Sequence, residues 1–149
     1  MNGRMASLKD RRWFNPTLPQ MLQIAVFLLY FGAFFGLFDA LDALSGAPAL
    51  MLVIVWASVP LHVLGGLGVS EERKRGYQLA IAAAAYPFLF RLLIVLEVFG
   101  EPHPLSLAST SPVRYVITSG SILNFAFEAA LVVLLLHTKS KEHVRIWFR

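Results

Sequence analysis

The feature that most constrains this sequence is a long run without formal charge close to its start. No residue between Arg12 and Asp39 is charged, and a second uncharged run lies between Asp42 and Glu71. Each run exceeds the roughly 20 residues with which an α-helix crosses about 30 Å of hydrocarbon. A helix on the surface of a soluble protein needs a polar face, and neither run provides one. The two runs therefore predict membrane-spanning helices.

Two further apolar windows follow, each with one ionisable residue in its interior. Residues 76–99 contain Arg91, with Glu97 near the end of the window, and residues 115–138 contain Glu128. Short connections between apolar runs make neighbouring helices antiparallel. We therefore predict an all-α, polytopic membrane protein that forms one antiparallel four-helix domain over residues 1–149. The predicted spans are residues 18–38, 48–68, 78–99 and 115–137.

The composition agrees with this fold class and removes several kinds of site. Of the 149 residues, 57% are hydrophobic and 15% charged, whereas soluble domains have about 45–50% apolar and about 25% charged residues. The chain contains no cysteine. Disulfides, thiolate metal ligands and cysteine nucleophiles are therefore excluded.

The basic residues predict the orientation of the chain. All 13 Lys and Arg residues except Arg91 and Arg114 lie in the N-terminal arm, in the turn after the second span or in the C-terminal tail. Four acidic residues accompany Arg114 on the opposite side. Because basic residues are retained on the cytoplasmic side, we expect both termini to be cytoplasmic and the protein to be a multi-pass protein of the plasma (inner) membrane.

Residues at the cytoplasmic end are candidates for anchoring the protein at the membrane interface. Trp13 precedes the first span, where aromatic rings favour the headgroup region. The tail, residues 139–149, has amphipathic helical spacing with an apolar stripe and a basic stripe, typical of a helix that lies on anionic lipids. The same features suit a protein partner. The stripes are Val144, Trp147 and Phe148, and Lys141, Arg145 and Arg149.

Glycine spacing indicates close helix packing. Gly32 and Gly36 form a GxxxG pattern, which lets another helix approach; the neighbouring helix belongs to this chain or to another chain, or the pattern has no special role. Gly65, Gly66 and Gly68 lie near the end of the second span. We expect these three to loosen the exit of that helix.

Arg91 and Glu128 are the most informative residues inside the predicted spans. A charge near the bilayer centre costs about 2.5–3.5 kcal/mol on insertion scales, so each needs a partner or a water-filled cavity. Side chains lean towards the N-terminus of their own helix, and the two helices run in opposite directions. We therefore expect the two side chains to meet and Asn124, on the same helix as Glu128, to lie within hydrogen-bonding reach. The face of the third helix that carries Arg91 also includes Ala80, Ala84 and Pro87. The pair then fixes helix register, lines a polar conduit or contacts another subunit.

The sequence indicates no cofactor. His62 and His137 are the only histidine pair that lies inside the spans, and nothing in their spacing places them on facing surfaces. The chain also lacks a nucleophile–base constellation and a metal-ligand cluster. We therefore do not expect an enzyme, and no motif points to a nucleic-acid partner.

These features lead to two hypotheses for the function. The first is a non-catalytic accessory or assembly subunit of a larger membrane complex, with other membrane subunits or further copies of the chain as partners. The alternative is a small oligomeric transporter or ion-conducting protein that uses Arg91, Glu128 and Asn124. A lipid-modifying enzyme has the least support.

Overall fold

Helices account for the architecture. The computed structural model describes residues 13–47, 49–96 and 122–149, and all regular structure in these ranges is α-helical, without a strand. The all-α prediction is therefore confirmed for this part of the chain. The helices are α1 (Gln20–Ala43), α2 (Ala49–Ser70), α3 (Lys74–Val95), α4 (Ile122–Leu136) and α5 (Thr138–Trp147).

The first helix is longer than the sequence predicts. α1 begins after Pro19, whose carbonyl accepts two N–H groups of the first turn. We expected Asp39 and Asp42 in the connecting turn, but both belong to α1. The helix continues past Gly36 because no glycine or proline lies between residues 37 and 45. It ends at Ala43, and the N–H and hydroxyl of Ser45 then both donate to the carbonyl of Asp42.

A tight turn of residues 71–73 joins α2 to α3. Glu72 adopts a left-handed conformation with φ 55°, which costs a residue other than glycine about 1 kcal/mol or more. Contacts from both ends of the chain hold it: Asn15 Nδ2 donates to its Oε1 at 3.3 Å, and the N–H of Arg149 donates to its carbonyl at 3.0 Å. α3 begins four residues before the predicted start.

The described part of the fourth predicted span is α4, and the predicted amphipathic tail forms α5. α4 and α5 meet at His137 with a bend of 49°, and Nδ1 of His137 accepts the N–H of Lys139 at 3.2 Å. His137 therefore caps α5, a role that its sequence context did not reveal. The predicted ends of the third and fourth spans, residues 97–99 and 115–121, lie outside the described residues.

The helices indicate a membrane protein. α1, α2 and α3 are each long and apolar enough to cross a bilayer, and α4 with α5 adds a fourth span if the bent pair is one span. Within these helices, most of the surface is apolar and faces outward, as expected where lipid replaces water as the solvent.

The bundle is packed most tightly at the end where α2 turns into α3. Backbone contact joins Gly68 to Gly76, and a Cβ on Gly65 would lie 2.9 Å from the Cα of Ala80. A Cβ on Gly66 would lie 2.7 Å from the ring of Tyr30. We expected the α2 glycines to loosen the helix exit, and this was wrong. They allow α1 and α3 to approach α2 closely, because glycine has no side chain to separate the backbones.

The apolar core lies in the same half of the bundle. It comprises residues of α1, α3, α4 and α5 together with the end of α2. Its fully buried members include Leu22, Val26, Leu29 and Leu135. The hydroxyl of Tyr77 donates to the carbonyl of Leu135, which ties α3 to α4.

The N-terminal segment is fastened at this end as well. The carbonyl of Trp13 accepts the hydroxyl of Tyr30 at 2.7 Å and the hydroxyl of Ser70 at 3.0 Å. The carbonyl of Arg149 accepts the N–H of Lys74 at 2.9 Å. The described N-terminal residues, the α2–α3 turn and the C-terminus therefore meet at one end of the bundle, which we call the basic end.

Candidate functional site

Among the described residues, the half of the bundle opposite the basic end contains a cleft. A cleft of about 560 Å³ lies between α1, α2, α3 and α4. Its walls combine aromatic and aliphatic side chains with a small set of polar and charged ones, the combination typical of ligand sites. The polar and charged lining residues are Asp39, Asp42, Ser58, His62, Tyr86, Arg91, Asn124 and Glu128.

An ion pair between α3 and α4 forms the centre of this cleft. Arg91 Nη2 donates a hydrogen bond to Glu128 Oε1, and the two side chains are 9% and 17% exposed. The guanidinium of Arg91 also lies 5.7 Å from the centre of the Phe88 ring, a cation–π contact. The structure thus brings together the two residues for which the sequence indicated a meeting.

The second carboxylate oxygen of Glu128 has a different environment. Oε2 is buried and has no hydrogen-bond partner among the described residues. A buried, unpartnered carboxylate oxygen costs free energy. Asn124, one turn before Glu128 on α4, lines the same cleft. The ion pair therefore includes one buried oxygen atom, Oε2 of Glu128, that accepts no hydrogen bond from the described residues.

Two further carboxylates lie where α1 ends. Asp39 and Asp42 line the cleft, and neither has a basic group within ion-pair distance among the described residues. The last turn of α1 contains no basic residue. Since the C-terminal end of a helix carries partial negative charge, carboxylates there are unfavourable. Asp39 and Asp42 therefore do not stabilise this end of α1.

The wall formed by α2 and α3 carries one polar ring near the proline of each helix, His62 near Pro60 and Tyr86 beside Pro87. His62 is buried, and its Nδ1 lies 2.8 Å from the carbonyl of Ser58. Its ring meets that of Tyr86 edge to face, with centroids 6.3 Å apart. Pro60 in α2 and Pro87 in α3 remove one backbone donor each. The polar groups of this wall therefore lie near the two positions at which a helix lacks a backbone N–H donor.

Aromatic rings form much of the remaining lining. Phe31, Phe35, Phe90 and Phe127 border the cleft with Tyr86. Phe31 of α1 and Phe127 of α4 have centroids 5.7 Å apart, and Phe90 stacks on Tyr86 at 5.7 Å. These contacts place several ring faces around the charged residues.

The GxxxG glycines of α1 contact α2 within this chain. A Cβ on Gly32 would lie 2.9 Å from the His62 ring, whereas one on Gly36 would lie 3.4 Å from the Ser58 hydroxyl. The space next to Gly32 is therefore tighter than the space next to Gly36, and α2 of the same chain packs against both glycines.

The predicted interfacial residues divide into two groups. Trp13, Lys141, Arg145 and Trp147 are exposed at the basic end. Phe148, in contrast, is 4% exposed and packs edge to face on Tyr77, with centroids 6.2 Å apart. The apolar stripe predicted for the tail is therefore split, because the helical turn that points Trp147 outward directs its neighbour into the core.

The remaining tests of identity give no match. Within the described ranges, no three His, Asp or Glu residues are grouped so that they could hold a metal ion. Comparison of the chain with protein-family models, with curated proteins and with solved structures finds no match. The chemistry of the cleft is therefore the feature of this chain that indicates a function.

Several residues of the cleft were not identified from the sequence. Asp39 was assigned to a loop, and Ser58 and Tyr86 were not singled out. One signal was present: Asp39 follows Gly32 and Gly36 at helical spacing, on the face that meets α2. Using it required knowledge that α1 continues beyond residue 38.

Proposed function

We propose that this protein is a small oligomeric transporter or ion-conducting membrane protein that uses the cleft around Arg91 and Glu128. One observation carries the proposal: the ion pair borders a cleft of about 560 Å³. An ion pair that only fixes helix register gains nothing from an adjoining cavity, whereas a permeation site requires one.

The arrangement of the two halves supports this proposal. Among the described residues, the half near the basic end is closed by the glycine contacts and by the apolar core, and the opposite half contains the cleft. A solute that enters the cleft reaches the ion pair and is stopped there. Passage then requires α2 or α3 to move, and Pro60 and Pro87 provide points at which a helix bends at low cost.

The orientation proposed for the chain has support from the fold. The described N-terminal residues, the α2–α3 turn and the C-terminus meet at the basic end. We place this end on the cytoplasmic side of the plasma (inner) membrane, where Lys and Arg are favoured and anionic lipids are available to the tail. The cleft then opens towards the outer side.

Flux through reconstituted protein tests the proposal. Purified protein is incorporated into liposomes, and a voltage-sensitive dye records the potential that develops under gradients of Na⁺, K⁺, H⁺, Cl⁻ and choline. We expect a potential with at least one gradient for the parent and none for Arg91→Leu combined with Glu128→Leu. The matched control is Lys139→Leu combined with Glu142→Leu, which removes one charge of each sign from the exposed surface of α5 and should conduct like the parent.

Two outcomes of the flux measurement would contradict the proposal. A folded parent that develops no potential under any gradient would overturn the proposal. Equal flux through the parent and the Arg91/Glu128 double variant would exclude the ion pair from permeation. Circular dichroism and a thermal melt establish that each reconstituted variant is folded.

A second candidate function, an accessory or assembly subunit, is favoured by the outward face of α1. Phe27, Phe34 and Phe38 are each more than half exposed, and Phe34 contacts Phe38 edge to face at 5.0 Å. A pre-ordered aromatic surface suits packing against a helix of another subunit, because the rings lose little side-chain entropy. Purification from the native membrane in mild detergent tests this: distinct co-purifying subunits support it, and copies of this chain alone argue against it.

A further inference from the structure

We propose that the cleft binds an organic cation with an apolar body, whose positive group lies between the carboxylates of Asp39 and Glu128. This inference rests on the proposed function and adds the chemical class of the solute. Three properties of the cleft support it: the sign of its charge, its aromatic lining and the unsatisfied oxygen of Glu128.

The charge of the lining favours a cation. Among the described residues, three carboxylates and one guanidinium border the cleft, a formal charge of −2 from Asp39, Asp42, Glu128 and Arg91. The carbonyl end of α1 adds a partial negative charge at the same place. An anionic solute would have to approach two carboxylates before it reached Arg91, whereas a cation is attracted along the whole path.

The aromatic lining favours an apolar body around that charge. Phe31, Phe127, Phe90 and Tyr86 present rings on two sides of the cleft. Ring faces attract cations, most strongly where water is excluded, and they also contact apolar groups. A small hydrated metal ion would use neither property.

The environment of Glu128 indicates how it takes part. Arg91 occupies Oε1, and Oε2 is buried without a partner among the described residues. A positive group next to Oε2 would stabilise the charge on this oxygen while the ion pair to Arg91 remains. Glu128 then holds two cations, one from the protein and one from the solute, and Asp39 balances the additional charge.

A pair of isosteric ions tests the sign and the shape together. Tetraphenylphosphonium and tetraphenylborate have nearly the same size and ring arrangement but opposite charge. Binding of each to the purified full chain in a nonionic detergent is measured by isothermal titration calorimetry, with empty micelles as the reference. We expect saturable binding of the phosphonium and none of the borate above the micelle reference.

Charge-neutralising variants then locate the site. Asp39→Asn and Glu128→Gln should each weaken phosphonium binding by about tenfold or more, the order expected for one nearby charge at an effective dielectric near 20 with partial screening. Glu142→Gln, on the exposed surface of α5, is the matched control and should bind like the parent. Asp39→Asn leaves the Arg91–Glu128 pair intact, so this variant remains informative if Glu128→Gln does not fold.

The outcomes separate the inference from the proposed function. Equal binding of the phosphonium and the borate would overturn the proposal that the cleft binds an organic cation. An affinity of Asp39→Asn for the phosphonium equal to that of the parent would overturn it as well. Conduction of inorganic ions without phosphonium binding would overturn the inference and leave the proposed function in place. Phosphonium binding that depends on Asp39, with no flux of any solute, would support the inference and overturn transport.

Discussion

Removing the Arg91–Glu128 pair one member at a time is the most direct test of the structure. The variants are Arg91→Leu, Glu128→Leu and the double substitution, with leucine chosen because it suits an apolar surrounding. The two side chains are 9% and 17% exposed, so each single variant leaves one ionised group with little access to water. The double variant leaves no charge.

The burial of the pair sets the expected magnitudes. Breaking a buried ion pair by removing one partner costs about 3–5 kcal/mol, and replacing the whole pair by apolar residues is often neutral. We therefore expect each single variant to lose about 3 kcal/mol or more of unfolding free energy, and the double variant to lose less than either. The coupling free energy between the two sites is then about 3 kcal/mol or larger.

The assay is reversible unfolding in mixed micelles, with dodecyl sulfate as the denaturant and circular dichroism as the signal. Unfolding free energies of the four proteins give the coupling directly. Single losses that add to the double loss within about 0.5 kcal/mol would refute the pairing of Arg91 with Glu128. The same four proteins serve in the flux measurement, so stability and permeation are compared on identical material.

Three further predictions concern the basic end and the orientation. Gly68→Ala should lower stability by about 1–3 kcal/mol through overlap with Gly76; a melting temperature like that of the parent would contradict the close contact. Phe148→Ala should cost about 3 kcal/mol as a buried aromatic, and a loss no larger than that of Trp147→Ala, which is exposed, would exclude its place in the core. In intact cells, Ser45→Cys should react with an impermeant thiol reagent and Glu142→Cys should not; the reverse labelling would invert the proposed orientation.

The sequence predicted the helices well because the bilayer imposes a length on uncharged runs. A run without charge between Arg12 and Asp39 has few alternatives to a helix. The meeting of Arg91 and Glu128 was also accessible, because side-chain lean and depth depend on helix geometry alone. Both inferences use rules that hold for any membrane-spanning helix.

Helix ends and neighbours were less accessible. α1 continues through Asp39 and Asp42 because a carboxylate ends a span without ending a helix, so hydropathy and hydrogen bonding give different boundaries. The role of Gly68 depends on which residue of α3 faces it. That partner is Gly76, and the rotation of α3 about its axis is not encoded in the spacing of either glycine.

One half of the bundle is closely packed, and the other half borders the cleft. At the basic end, contact of Gly68 with Gly76 and the hydrogen bonds of Glu72 to both chain termini hold α2 and α3 at a fixed distance. Beyond Pro60 and Pro87 the same helices border a cleft instead of a packed core. Pro60 and Pro87 therefore lie near the boundary between the packed part of each helix and the part that borders the cleft.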